Sequence, residues 1–264
     1  MLTLAHAAFW GIGAYASAII TTRLGMPVIV GLSGALIISF AAGSLLALAA
    51  ARTKGDLFII ATFAFQLIVN NIQMGWKSVT GGSSGISGVL PLFVPYGGCS
   101  STWLYAITFG LLMICCVTIS YLIANSPFGR LLKGIREDEL LMASLGRRFS
   151  LQRAKVCSIS AGIAGLAGGF YVHYIGYIDP TSFTIWDSIF LLTIVLLGGS
   201  DSIAGAILGA TVLVFLPEIT RSLGIPGVFG AHLRQMIFGL ALILLSLYRP
   251  QGLLGGFRYQ GGDE

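Results

Sequence analysis

The sequence predicts an all-α protein, a polytopic bundle of transmembrane helices, and three observations carry that prediction. Of 264 residues, 56% are hydrophobic and only 9% charged, against about 25% charged in an ordinary soluble domain. The chain therefore cannot clothe a water-facing surface of its size, which argues against a soluble globular enzyme. The apolar residues gather in runs close to the ~20 needed for a helix to cross a bilayer. Seven of the 15 basic residues lie between Arg130 and Lys155, beside apolar runs, a pattern of positive-inside topology. The net charge of +5 thus reads as membrane orientation before nucleic-acid binding.

The first apolar run, near 2–21, lacks the charged region and processing site of a signal peptide. It reads as a retained span, and its abrupt start points to further sequence upstream. Runs near 27–50, 57–74, 101–124 and 152–172 follow as further spans, with a last one near 232–248. Between them, 185–199 and 201–216 are short. They form two tilted crossings, one crossing with a broken continuation, or a re-entrant pair around Gly198, Gly199 and Ser200.

Orientation follows from charge. The stretch 125–151 holds Arg130, Lys133, Arg136, Arg147 and Arg148 and is placed in the cytoplasm, with the Arg52 to Asp56 turn on the same side. The stretch 75–100, whose only charge is Lys77, is placed outside. This outer stretch is rich in Gly, Ser and Pro and contains TGGSSGISG at 80–88. It reads as a loop of tight turns. Its amides either face an anionic group such as a carboxylate or simply reverse the chain.

Within the third span, Gln66, Asn70 and Gln73 recur at i, i+4 and i+7, with Asn71 beside them. Lipid cannot satisfy amides, so Gln66 and Asn70 either bond to another helix or line a pathway. Gln73, near the outer end, is expected to meet water. Small faces suited to close helix approach occur at Gly165 and Gly169, and again at Gly205 and Gly209. In the cytoplasmic stretch, Pro127 is read as starting a turn, Leu141 and Leu145 as an apolar pair, and Gly146 as a helix end. This frames a short surface helix with Arg136, Glu137, Asp138 and Glu139 near its start.

No catalytic set emerges. His6, His173 and His232 are too far apart for a metal site and read as packing residues. Asp179, Asp187 and Asp201 are weaker pathway candidates. Four cysteines, Cys99, Cys115, Cys116 and Cys157, contain no C-x-x-C pair and read as buried thiols. No G-x-x-x-x-G-K-[ST] phosphate loop occurs, so an ATP-driven machine would bind its ATP on another subunit.

In order and spacing, LTLAHAAFWGIGAY at 2–15, TGGSSGISG at 80–88, SPFGRLLKGIREDE at 126–139, SAGIAGLAGGFYVHYIGYIDPTSF at 160–183 and LLGGSDSIAGAILGATVLVFLPE at 196–218 resemble the LivM-type permeases of branched-chain amino acid ABC transporters, whose relatives handle urea and short-chain amides. The resemblance covers nearly the whole chain. It implies one permease domain over 1–264, an ABC importer bundle in the bacterial inner membrane, with 125–151 as its cytoplasmic coupling loop. It also implies a second related permease subunit, two cytoplasmic ATPases that bind ATP and Mg, and an external substrate-binding protein. It further implies that this chain binds no cofactor and performs no bond chemistry.

Residues 130–149 are implied to dock on an ATPase, through Arg136, Glu137, Asp138, Glu139 and Gly146. Relatives carry an Ala-rich stretch where this chain has Glu139 to Ser144, and usually another hydrophobic segment before Leu2. Gln66, Asn70, Gly81 and Gly82 are the pathway candidates. Branched-chain or other neutral amino acids are favoured as substrate over urea or amides. A standalone channel or secondary transporter would show an internal repeat or an embedded coupling charge, and neither is clear in the sequence.

Overall fold

The computed structural model describes residues 3–50, 53, 56–93, 101–137, 142, 144, 149–199, 202–222, 236, 239 and 240. Predominantly helical, it contains five apolar segments long enough to cross a bilayer among these residues, so the chain is a polytopic transmembrane helical bundle. The long helices are α1 (His6–Thr22), α2 (Val28–Ala49) and α3 (Asp56–Gly75). A short α4 (Lys77–Thr80), a 3-10 turn (Gly82–Ser84) and a two-residue strand β1 (Ile86–Ser87) follow. Next come α5 (Ser101–Asn125), α6 (Pro127–Glu137), α7 (Phe149–Ile175), β2 (Tyr177–Ile178), a 3-10 turn (Pro180–Ser182), α8 (Ile185–Gly198) and α9 (Ile203–Ser222). The chain packs as two compact units, 1–188 and 189–264.

In the first unit α1, α2 and α7 form the centre, because their facing stripes are small. On α2 the buried residues are Gly31, Ala35, Ser39, Gly43, Leu46 and Ala47, a row close to every fourth residue, while Ile29, Ile37 and Leu45 on the other faces stay exposed. A methyl added to Gly13 would overlap the Gly165 backbone, and one added to Gly43 would lie 2.5 Å from the Ala161 β-carbon. Close backbone approach of this kind replaces the hydrophobic driving force that lipid removes.

The loops of this unit segregate to opposite ends. At one, Arg23 Nη1 donates to the Ser78 carbonyl at 2.6 Å, and β1 pairs antiparallel with β2, Ile86 opposite Ile178 and Ser87 opposite Tyr177. At the other, Arg153 Nη1 donates to the carbonyls of Ala50, at 3.2 Å, and Thr53, with its guanidinium 4.4 Å from the centre of the Phe58 ring. The stretches expected on opposite sides of the membrane thus lie at opposite ends.

Two local expectations change. The outer stretch is more regular than a run of turns: β1 is held by pairing with β2, a partner about ninety residues away in sequence and invisible to local reading. Pro127 opens a helix rather than a turn, since its fixed φ and missing N–H suit the first helical position. Phe128, Leu131, Leu132 and Ile135 then recur at i, i+3, i+4 and i+7, and Arg136 and Glu137 are the last residues of this helix. Asp138, Glu139, Leu141, Leu145 and Gly146 lie outside the described residues, as does the apolar run near 232–248 except for Met236, Gly239 and Leu240, which are helical.

In the second unit α8 folds back onto α9. Gly198 and Gly205 approach so closely that a methyl on either would meet the other's carbonyl, and a methyl on Gly209 would overlap the Ile194 carbonyl. Ile194, Leu197 and Leu213 form the buried cluster between them, with Phe190 and Ala210 packed on it. This antiparallel pairing excludes a single continuous crossing through 185–216. At 14 residues, α8 alone is about 21 Å long, short of the ~30 Å hydrocarbon core, and the fifth apolar segment reaches its 19 residues only with the preceding turn, Pro180–Gly198.

Candidate functional site

Helix α1 begins at His6 after Ala5, which offers no capping side chain, so its first N–H groups need partners from elsewhere. They find them on α3 and at the start of α8. Leu4 N–H donates to Thr62 Oγ1 at 3.1 Å, Ala7 N–H to Ser188 Oγ at 3.0 Å, and Ala8 N–H to Gln66 Oε1 at 2.6 Å. Ser188 Oγ also donates to Gln66 Oε1 at 3.2 Å. Gln66 is 1% exposed, and its amide oxygen sits where the helix dipole is positive.

The same amide reaches the other way. Gln66 Nε2 donates to the Phe183 carbonyl at 3.0 Å, and Asn70 Nδ2 to the carbonyls of Pro180 at 3.0 Å and Phe183 at 3.3 Å. Gln66 and Asn70 therefore bond α1, α3 and the 180–183 turn together. Phe183 is fully buried among Trp10, Tyr15 and Tyr171, with ring centroids at 5.0, 6.3 and 6.4 Å. Edge-on contacts of this kind suit the aromatic quadrupole.

Gln73 does not meet water as its position suggests. It is 4% exposed, and neither its amide oxygen nor its nitrogen has a hydrogen-bond partner; the Tyr15 hydroxyl is buried in the same condition. Gly11 makes the room, since a methyl there would lie 2.8 Å from Gln73 Nε2 and 2.9 Å from the Phe183 ring. Two buried unsatisfied side chains within one packed region are costly.

The glycine loop is tied to this region through Thr80, whose hydroxyl lies 2.7 Å from the Gln73 carbonyl and accepts the Gly82 N–H at 3.2 Å. Gly81 and Gly82 have φ of +79 and +64, a region that side-chain-bearing residues rarely enter. Gly81 N–H donates to the Lys77 carbonyl and Gly85 N–H to that of Gly82. The amides of Gly81, Gly82 and Gly85 are thus bonded within the loop.

His173, read as a packing residue, and Tyr105, not singled out in the sequence, hold the outer end. His173, 1% exposed, has Nδ1 2.6 Å from the Leu90 carbonyl, so Nδ1 carries the proton and Nε2 accepts from Ser17 Oγ at 2.8 Å. The Tyr105 hydroxyl donates to the His173 carbonyl at 2.8 Å and accepts the Leu92 N–H at 2.8 Å. Asp179 and Asp187 serve the adjoining turns. Asp179 accepts from Ser182 N–H, Ser182 Oγ and Thr181 Oγ1 at 3.1, 2.5 and 2.8 Å, and Asp187 accepts from Thr184 N–H and Oγ1 at 2.8 and 2.6 Å. Burial pushes the Asp179 carboxyl up, but the bonds from Ser182 and Thr181 outweigh it and hold the group below its ordinary value. Asp201, like His232, lies outside the described residues.

The packing glycines lie as follows. Gly165 faces Ser39 and Ala35, Gly169 faces Leu32, Ala35 and Ser17, Gly205 faces Gly198, and Gly209 faces Ile194 and Gly198. Arg136 and Glu137 end α6. Cys115, Cys116 and Cys157 are free thiols, and no group of three or more His, Cys, Asp or Glu among the described residues is placed to hold a metal. The arrangement builds hydrogen-bonded joints between helices. Thr62 and Ser188 were legible only as hydroxyls in apolar runs, which is too common a signal to single them out.

The chain is similar in sequence to named transport permeases. The chain is 32% identical over 278 residues to the high-affinity branched-chain amino acid transport system permease protein LivM of Salmonella typhimurium, covering 96% of this chain and 64% of that one. It is likewise 32% identical over 280 residues to LivM of Escherichia coli, with 96% and 64% covered. The autoinducer 2 import system permease protein LsrC of Salmonella paratyphi B is 29% identical over 194 residues, 70% of this chain and 52% of that one. The chain thus spans 64% of the length of the LivM relatives it matches. No solved structure matches it significantly. The family model described as branched-chain amino acid transport system / permease component matches residues 1–246, and the chain belongs to that family.

Proposed function

We propose that the chain forms half of the translocation pathway of an ATP-driven importer for branched-chain or other neutral amino acids in a bacterial inner membrane. The observation that carries this reading is the LivM similarity, which extends over 96% of the chain. Residues 1–264 act as one permease domain without bond chemistry. A second related permease supplies the other half, two cytoplasmic ATPases bind ATP and Mg, and an external protein delivers the substrate.

In this reading the polar joint at α1, α3 and the 180–183 turn shapes the outer part of the pathway wall. Gln66 and Asn70 position that wall, and Gly81 and Gly82 set the path of the loop above it. The small faces at Gly165 and Gly169, and at Gly205 and Gly209, transmit motion between helices as rigid contacts. The cytoplasmic stretch 125–151 docks on the ATPase, with Arg136, Glu137, Asp138, Glu139 and Gly146 as its coupling residues. Replacing Arg136 to Glu139 with alanine is expected to lower substrate-stimulated ATP hydrolysis in the assembled complex. Unchanged hydrolysis and transport would remove these residues from that role.

The substrate test uses the chain reconstituted with its permease, ATPase and binding-protein partners, measuring ATP-dependent uptake of leucine and urea in the same vesicles. Leucine uptake supports the reading, and urea uptake without leucine moves it to the urea and amide branch. The LsrC similarity over 70% of the chain favours a second reading, import of a small polar solute of the autoinducer 2 kind, and uptake of autoinducer 2 alone would establish it.

A further inference from the structure

At the end of the bundle opposite the β1–β2 ribbon, a groove of about 650 Å³ opens between α6, Met142 and the first turns of α7. Phe128, Leu131 and Met142 line its apolar side, and Arg130, Gln152 and Lys155 its polar side; no acidic residue among the described residues lines it. We propose that this groove holds the headgroup of an anionic phospholipid, with the phosphate between Arg130 and Lys155.

Position argues for a lipid. The apolar stretch of α5 ends at Asn125 and that of α7 begins at Ser150, so residues 127–131 and 152–155 lie where the chain leaves the hydrocarbon, at headgroup depth. Apolar and cationic groups on one groove match a molecule that is itself part acyl chain and part phosphate. Basic pockets between spanning helices bind such headgroups by this combination.

The polar lining is incompletely used. Arg130 Nη1 donates to the Asn125 carbonyl at 3.3 Å, a long bond and the only one its side chain makes among the described residues, and Lys155 is exposed. Gln152 Oε1 is buried without a hydrogen-bond partner, and a buried acceptor calls for a donor. The glycerol hydroxyls of phosphatidylglycerol supply that donor and its phosphate supplies the anion. Phosphatidic acid has the phosphate without those hydroxyls, and phosphatidylcholine has no net negative charge. Between Ser126 and Lys155 the sequence carries seven bases and three acids, which favours an anion over a zwitterion on this side.

The test is native mass spectrometry of the assembled complex, purified from membranes of defined composition, counting lipids retained per permease. The wild type is expected to retain phosphatidylglycerol and not phosphatidylcholine. Arg130→Gln with Lys155→Gln should weaken that retention by roughly tenfold or more, since each cation near a phosphate contributes about fivefold, and Arg130→Lys should restore part of it to the Lys155→Gln background. Gln152→Leu keeps both cations and should abolish the preference for phosphatidylglycerol over phosphatidic acid. Equal retention by wild type and the double variant would overturn the proposal. So would loss of the ATPase subunits with lipid retention unchanged, which would assign the groove to an acidic protein segment.

Discussion

Helices α5 and α7 are alike in length and composition but not in fate. They run for 25 and 27 residues, and both are apolar enough to span a bilayer. Half of the most apolar stretch of α7 is buried inside the chain and none of that of α5. The difference lies in side-chain size. Gly162, Gly165, Gly168 and Gly169 let α7 approach α1 and α2 to backbone distance, whereas the one glycine of α5, Gly110, has nothing within 4 Å. Trp103, Leu111 and Leu122 of α5 instead point outward at 74%, 63% and 63% exposure. Apolarity takes a helix into the membrane, but there lipid is as good a solvent as another helix, so packing is decided by shape and hydrogen bonds.

The strongest way to break this contrast is to give α7 the bulk of α5. Gly165→Leu would drive a side chain into Ser39 and the Ala35 carbonyl, and is expected to cost ~3 kcal/mol or more; Gly110→Leu should cost nothing measurable. Thermal unfolding of the two variants in the same detergent checks the difference, and equal midpoints would refute the role given to size.

Next in size is the hydrogen-bonded joint. Gln66→Leu orphans the Ala8 N–H and leaves the Phe183 carbonyl with Asn70 alone. At about 1–3 kcal/mol for each buried group left unmatched, a loss of ~2–4 kcal/mol is expected, read as a lower unfolding midpoint. Asn70→Leu should cost less, because Asn70 is only half-buried and serves the turn without the helix start.

A smaller effect is expected at Asp179. Its folded carboxyl titrates below its ordinary value, so its contribution is present in full above the unfolded value near ~4. That contribution disappears as pH falls through the lower folded value. Asp179→Asn should lower stability by ~1 kcal/mol or less at neutral pH, and the gap from wild type should close on acidification toward pH ~3. A gap that widens with acid would reverse the assignment. The smallest effect belongs to the bare face of α5, where Trp103→Ala or Leu111→Ala should change the unfolding midpoint of the isolated chain by no more than ~0.5 kcal/mol equivalent.

Much of this contrast was legible in advance, and its limits are physical. The small faces at Gly165 and Gly209 and the polar row Gln66, Asn70 and Gln73 stand out because their spacing is local and helical. Their partners do not. Gln73, read as meeting water, is buried because Gly11 and Phe183, distant in sequence, close over it. Gly13 and Gly43 were not singled out, although Gly43 belongs to the small row Gly31, Ala35, Ser39 and Gly43, and the structure packs both as tightly as the motif glycines. At α6, by contrast, the information was present in the spacing of Phe128, Leu131, Leu132 and Ile135, and reading Pro127 as a turn obscured it.

The sequence by itself determined that the chain is a helical membrane protein, where its apolar segments lie, and which family it belongs to. Those properties depend on composition, local periodicity and the order of short motifs. Tertiary structure alone decided which polar groups meet. Ala7 and Ser188 are 181 residues apart, Gln66 and Phe183 are 117 apart, and Ser17 and His173 are 156 apart. In a bilayer an amide or hydroxyl must find such a partner inside the protein. The sequence announces that need, and only the fold shows which group meets it.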